Sequence, residues 1–362
     1  MGESMSVNGN KGVIQEIYLL RMVACLSVVW IHAISITYGQ YPLSDRGVLA
    51  VQTFQIIFMY ATPLFVCISE LLLAHAYPDQ APKSFWIKRV KYLLIPFFTM
   101  AFVYALIQHP TDPLSLWNRF SDMVLLGKWH GYFIIIIFQF YLLHLFFIRW
   151  VKNRWMVPIL LVSFFINVLY LENPPTSMPF GMASYIPFPG WIFYFTASYY
   201  IGRNLAAFRR GVERYQAWIF AGVILAMGIV VYLKGSGMIF STSSKRPDVM
   251  IYTCLVFCLL FWIGMKLRQI PHWIVWISQF SFGIYLLHPL VQHRMIKPWL
   301  PLDLPMSLYA VILFTAGILL PIALTWLLNQ MPLGSYLVGK LQKGKPTVDS
   351  TSHSSERGWS SA

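Results

Sequence analysis

Long apolar stretches recur from one end of this 362-residue chain to the other, and they restrict its fold more severely than any other feature. About 20 apolar residues in a helix cross the hydrocarbon layer of a bilayer. Lipid offers no partner for backbone N–H and C=O groups, so only helices and closed barrels can span it. The stretches here are continuous rather than alternating, which reads as helix. We place them at 17–38, 47–74, 90–108, 131–148, 156–171, 186–202, 216–233, 249–267, 273–292 and 308–328. The expected fold is all-α, a polytopic integral membrane protein with about ten transmembrane helices. The fifth and sixth stretches are short, and Pro187 and Pro189 precede the sixth, so either could be tilted or re-entrant; eight spans is the lower count.

Composition agrees with lipid as the main solvent. Hydrophobic residues make up 57% of the chain and charged residues 11%, against roughly 25% charged in soluble domains. The net charge of +14 does not point to nucleic acid, because the basic residues fall in short clusters between apolar runs and line no single polar face. Cys25, Cys67, Cys254 and Cys258 all lie inside apolar stretches without the histidine spacing of structural zinc, so no metal is expected. The first apolar stretch is too long for a signal peptide and lacks a small-residue cleavage site, so it should remain as an anchor.

Orientation follows from lysine and arginine, which are retained on the cytoplasmic side. With the N-terminus inside, cytoplasmic segments carry eighteen of them and the opposite side eight. The densest clusters are Lys83, Lys88, Arg89 and Lys91 before the third stretch, and Arg203, Arg209, Arg210 and Arg214 after the sixth. Both termini should therefore be cytoplasmic, as a tail over 1–16 and a disordered tail over 331–362 around a membrane domain at 17–330. A multi-pass protein of a bacterial plasma membrane is expected.

Ionisable groups within a membrane helix are costly and by default functional candidates. The first helix holds two, Arg21 and His32, eleven residues apart. At 100° per residue that spacing is about three turns plus 20°, so both project from one face, about 16 Å apart along the axis. Taken singly, Arg21 reads equally as an arginine snorkelling to headgroups, and His32 as a histidine satisfied by a neighbouring helix. Together they suggest one passage across the bilayer.

An arginine followed after ten residues by a histidine in a first helix resembles the signature of the membrane-bound acyltransferase 3 family. Phe65-Val66-Cys67-Ile68-Ser69 resembles the family's second-helix motif, and Ser281-Phe282-Gly283-Ile284-Tyr285-Leu286-Leu287-His288-Pro289 its late-helix motif. Three further blocks, Arg89 to Pro96, Leu126 to Phe133 and Gly190 to Phe195, are similar to the family's intercellular adhesion protein C branch. That branch was named for export of poly-N-acetylglucosamine. Two departures stand out: Glu70 follows Ser69 where glycine is usual, and the third-helix arginine pair is represented by Lys88, Arg89 and Lys91. Glu70 should lie near the cytoplasmic end of its helix, within reach of Arg21 or of that cluster, chiefly as a structural ion pair.

The resemblance implies transfer of an acyl group, acetyl or succinyl, from acyl-coenzyme A in the cytoplasm to hydroxyls of a cell-surface polysaccharide, with no bound cofactor. A polysaccharide synthase is a possible partner, export of the polysaccharide is the alternative function, and movement of acyl groups without glycosyl specificity a third. Coenzyme A carries phosphates, which fixed cations such as Arg21, Lys88, Arg89 and Lys91 would hold, with Glu70 beside them. A sugar hydroxyl is a weak nucleophile, and a neutral imidazole within hydrogen-bond reach can take its proton as it attacks a thioester. His32 is the expected base, with Arg21 on the same catalytic face and His288 a second catalytic group or a packing histidine. Trp129, His130 and Tyr132, where the fourth helix begins on the outer side, either mark the membrane interface or stack against the acceptor's sugar rings.

Overall fold

The computed structural model describes residues 13–341. Every regular element among them is helical, and nine helices are long and apolar enough to cross a membrane. In chain order α1 (Glu16–Tyr38), α2 (Asp45–Ala76) and α3 (Phe85–Gln108) span, and the amphipathic α4 (Pro113–Leu126) follows. After α4 come the spanning helices α5 (Tyr132–Trp150) and α6 (Asn153–Glu172), then the shorter α7 (Ile192–Arg203) and α8 (Leu205–Arg214). Four spans close the series: α9 (Gln216–Gly235), α10 (Pro247–Lys266), α11 (His272–Trp299) and α12 (Met306–Gln330). A single turn, α13 (Ser335–Val338), follows them. The chain is an all-α polytopic membrane protein.

The sixth apolar stretch forms α7, whose 12 residues extend only about 18 Å, too short to span alone. The preceding backbone is irregular apart from a 3-10 turn at Phe188–Trp191, and two amide side chains supply missing partners. Gln139 donates to the carbonyl of Ile186 at 3.0 Å and accepts from the N–H of Phe188 at 2.9 Å. The buried Asn167 donates to the carbonyl of Gly190 at 2.9 Å and accepts from the N–H of Phe193 at 3.1 Å, closing the N-terminal end of α7. Irregular backbone inside a membrane bundle is tolerated where protein satisfies it.

At the centre lies α1, packed against α2, α10, α11 and α12. Helices α2 and α7 approach closely because residue 202 is glycine: a Cβ there would stand 2.5 Å from the carbonyl oxygen of Leu71. At the periphery, α6 exposes Leu161, Val162, Phe165 and Leu169, and α9 exposes Trp218, Ile224, Leu225 and Tyr232, the surfaces that lipid covers.

Ion pairs tie the connections on the more basic side. Glu16 takes two hydrogen bonds from Arg209, at 2.8 and 3.0 Å, and Arg203 meets Asp79 at 3.3 Å. Glu16 thus begins α1 rather than closing a tail; residues 1–12 of the expected tail lie outside the described residues. The tail expected over 331–362 is also shorter at its start. Val338 is 2% exposed in the main core cluster and α13 packs against α3, because apolar side chains at Tyr336, Leu337 and Val338 find a face left open there. Residues 342–362 lie outside the described residues.

Candidate active site

On the more basic side, a cavity of about 1090 Å³ opens between α1, α2, α3, α5 and α11. Helical periodicity dictates which residues face it. In α2 the stripe is Phe65, Ile68, Ser69 and Leu72, and in α11 it is Ser278, Ser281, Phe282 and Tyr285, each set spaced i, i+3, i+4, i+7. Both resemblance motifs thus turn a face to one space. From α1 come Ile17, Tyr18 and Arg21, and from the start of α3 come Lys88, Arg89 and Tyr92. Lys340, beyond α13, adds a fourth cation to Arg21, Lys88 and Arg89. Among the described residues no aspartate or glutamate stands on the wall. The guanidinium of Arg89 lies 5.2 Å from the ring centre of Phe85 and 5.1 Å from that of Tyr141, contacts that hold it without neutralising it.

The cavity ends against Phe65, Phe133 and Tyr285, whose rings touch in series: Phe65 to Phe133 at 6.0 Å and Phe133 to Tyr285 at 5.5 Å. Beyond this aromatic layer lie three histidines. The ring of His32 is 5.0 Å from that of His288, which is 5.9 Å from that of His130. Tyr285 joins the two regions, since it lines the cavity and its hydroxyl donates to the backbone carbonyl of His130. Arg21 stands on the cavity wall, whereas His32 is not among the residues that line it.

His288 is fully buried, and its Nδ1 lies 2.9 Å from the carbonyl oxygen of Ile284. A carbonyl only accepts, so Nδ1 carries the hydrogen and Nε2 keeps a free lone pair. That Nε2, like the Nε2 of His130, is buried with no hydrogen-bond partner in the structure. Unpaired buried polar atoms are uncommon, and these two leave room for an ordered water or another polar group as partner. The three imidazoles therefore gather in one small volume, with unpartnered Nε2 atoms on His288 and His130.

Sequence reasoning did not foresee the device that positions His288. Pro289 lacks an N–H, and beside it the hydroxyl of Tyr104 inserts into the ladder of α11, donating to the carbonyl of Leu286 at 3.0 Å and accepting from the N–H of Leu290 at 2.9 Å. The helix continues as a π segment over Val291–Ile296. The same ring lies 5.0 Å from His130 and 5.6 Å from Trp129. A tyrosine inside an apolar stretch gives no sign of this in the sequence.

Other expected residues stand elsewhere. Glu70 is 1% exposed and bonds to His144 (2.8 Å between Oε1 and Nδ1), not to Arg21 or to the Lys88 to Lys91 cluster. It occupies the far side of α2 from the Phe65 stripe, so it reaches α5 and not the cavity. Lys91 is likewise off the wall, its ammonium resting over Tyr92 and Tyr336 at 5.5 and 5.0 Å. Trp129 is buried against Phe97 and Tyr104, so its ring is neither an interfacial marker nor an open sugar platform. Tyr132 is more open, 4.8 Å from the ring of Tyr185, and both rings flank the ammonium of Lys245 at 4.8 and 3.6 Å. Burial in this connection pushes the Lys245 ammonium down to about 8.

A family model described as an acyltransferase domain matches residues 14–326. A protein of Bacillus subtilis (strain 168) named as a membrane-bound acyltransferase is 34% identical over 364 residues, covering 94% of this chain and 99% of that one. A protein of Staphylococcus aureus (strain MRSA252) named for export of poly-beta-1,6-N-acetyl-D-glucosamine is 29% identical, covering 76% of this chain and 81% of its own. A Staphylococcus epidermidis protein of the same name is 30% identical over 76% of this chain and 80% of its own. No solved structure matches.

Proposed function

Because this chain belongs to the acyltransferase 3 family, we propose that it is a membrane O-acyltransferase moving an acetyl or succinyl group from cytoplasmic acyl-coenzyme A to hydroxyls of a cell-surface polysaccharide. One observation carries the reading: a cation-walled cavity of about 1090 Å³ ends one aromatic layer short of a cluster of three histidines. The volume lies just above the roughly 300–1,000 Å³ usual for small-molecule sites. With both termini cytoplasmic, the cavity opens inward and the histidines lie toward the outer face.

In this reading Arg21, Lys88 and Arg89 hold the donor's phosphates at the mouth, where no carboxylate among the described residues competes. The pantetheine arm extends along the stripes of α2 and α11, and its thioester reaches the Phe65, Phe133 and Tyr285 layer. The acceptor comes from the other side. His32 takes the hydroxyl proton as the oxygen attacks the thioester carbon; the carbon–sulfur bond then breaks, and the thiolate leaves and is protonated. His288, with Nε2 free and Nδ1 anchored, and His130 pass that proton onward. Tyr132 and Lys245 flank the route by which the acceptor approaches.

The names of the staphylococcal relatives favour a second reading, export of the polysaccharide. An exporter requires no donor site, and the cation-walled cavity favours the transferase instead. The deciding experiment incubates purified protein with labelled acetyl- or succinyl-coenzyme A and a β-1,6-N-acetylglucosamine oligomer. Label should enter the glycan with the wild type and not with His32→Ala, while the variant accumulates normally in membranes. Failure of both donors to label the glycan would overturn the transferase reading; full activity of His32→Ala would remove His32 from the mechanism.

A further inference from the structure

The family match ends at residue 326, yet the wall of the cavity does not: Lys340 and Leu341 are part of it. We propose that residues 334–341 form a strap completing the donor site, and that Lys340 binds the nucleotide phosphates of the acyl donor. This rests on reading the cavity as an acyl-coenzyme A site.

Four independent contacts fix the strap where it lies. Val338 is buried in the main core cluster, and α13 packs against α3. Gly339 has φ +83°, ψ +157°, a conformation essentially reserved for glycine, and a Cβ there would stand 2.4 Å from a ring carbon of Phe282, itself on the cavity wall. Asn329, near the end of α12, clamps both sides of Lys340. Its Nδ2 donates to the carbonyl of Gly339 at 3.2 Å, and its Oδ1 accepts from the N–H of Leu341 at 3.3 Å. Tyr336 stacks on Tyr92 at 6.4 Å, and the Lys340 ammonium rests 5.6 Å from the centre of the Tyr92 ring.

A segment held this firmly at backbone level presents the Lys340 ammonium at the cavity wall beside the Tyr92 ring. Lys340 is exposed, and among the described residues no carboxylate pairs with it. It shares the wall with Lys88 and Arg89. A compact ammonium on a flexible stem suits a phosphate as a point-charge contact. The pantetheine and acyl portions carry no phosphoester beyond the nucleotide end, so the strap acts on that end alone.

The test measures binding of coenzyme A and of pantetheine, which lacks the nucleotide, to the purified full-length protein in detergent. Lys340→Ala should weaken coenzyme A about tenfold, leave pantetheine unchanged and narrow its gap from the wild type as salt is raised; Lys340→Arg should retain most of the affinity. Equal affinity of wild type and Lys340→Ala for coenzyme A overturns the strap assignment and leaves the cavity reading in place. An equal loss for pantetheine makes Lys340 a structural residue and also overturns it. If wild-type protein binds no coenzyme A, the donor-site reading falls and the strap's role with it.

Discussion

In His144 both ring nitrogens face oxygen: Nε2 lies 3.1 Å from the carbonyl of Tyr77, and Nδ1 lies 2.8 Å from Oε1 of Glu70. The carbonyl only accepts, so Nε2 carries a hydrogen, and the contact with Glu70 holds one further proton between the two side chains. Both are fully buried, and removing one partner of such a pair costs about 3–5 kcal/mol because the other is left uncompensated. Glu70→Ala should therefore lower stability by about 3 kcal/mol in thermal unfolding of the detergent-solubilised protein. Glu70→Gln, whose amide can still donate to Nδ1, should keep most of it. Neither should raise the donor KM; a rise in Glu70→Gln at unchanged stability would return Glu70 to the donor site. The sequence located Glu70 as a departure from a motif and gave it a pairing role, but its partner sits 74 residues away and could not be read from spacing.

At the level of the single helix, α11 has the most to explain. Its motif runs from the cavity at Ser281 to the histidine cluster at His288, so one element carries both halves of the site. Rigidity is broken at one place only within that stretch, where Pro289 and the Tyr104 hydroxyl interrupt the ladder. Tyr104→Phe removes a part-buried hydroxyl with two partners, an effect of roughly 1–3 kcal/mol, and frees His288 to turn. We expect kcat to fall about tenfold with the donor KM unchanged, since Tyr104 is off the cavity wall. A changed KM at constant kcat would mean that the insertion shapes the donor cavity instead. Neighbouring α1 is gripped similarly: Gln55 donates to the carbonyl of Ile31 at 2.9 Å, and Gln292 to that of Val29 at 3.1 Å, fixing the turn that presents His32. Period and motif made the faces of these helices legible, while the amides and the hydroxyl that lock them are single polar residues without a pattern.

Across the whole molecule, the arrangement makes sense only with a sidedness, and sidedness was argued from charge. The ion pairs Glu16 with Arg209, Asp79 with Arg203, and Glu213 with Lys266 all join connections on the side of the cavity mouth. If that side is cytoplasmic, Ser177→Cys, in the connection between α6 and α7, should react with a membrane-impermeant maleimide in intact cells. Arg210→Cys, on α8, should react only after permeabilisation. The reverse pattern would invert the protein and place the cavity outside, where no acyl-coenzyme A is present. The four native cysteines lie within spanning helices, which keeps the background low.

The number of apolar stretches, their helical nature and the charge asymmetry belong to the sequence itself, because lipid imposes length, backbone pairing and side preference locally on each stretch. The periodicity of α2 and α11 likewise fixed which residues share a face. Tertiary packing decided the rest. It brought His130, His288 and His32 together from three helices or their ends, turned Glu70 away from the cations toward His144, and set an aromatic layer between cavity and histidines. It also folded the segment after α12 back onto the cavity. Those outcomes depend on contacts between residues far apart in the chain, where local spacing carries no information about which partner is met.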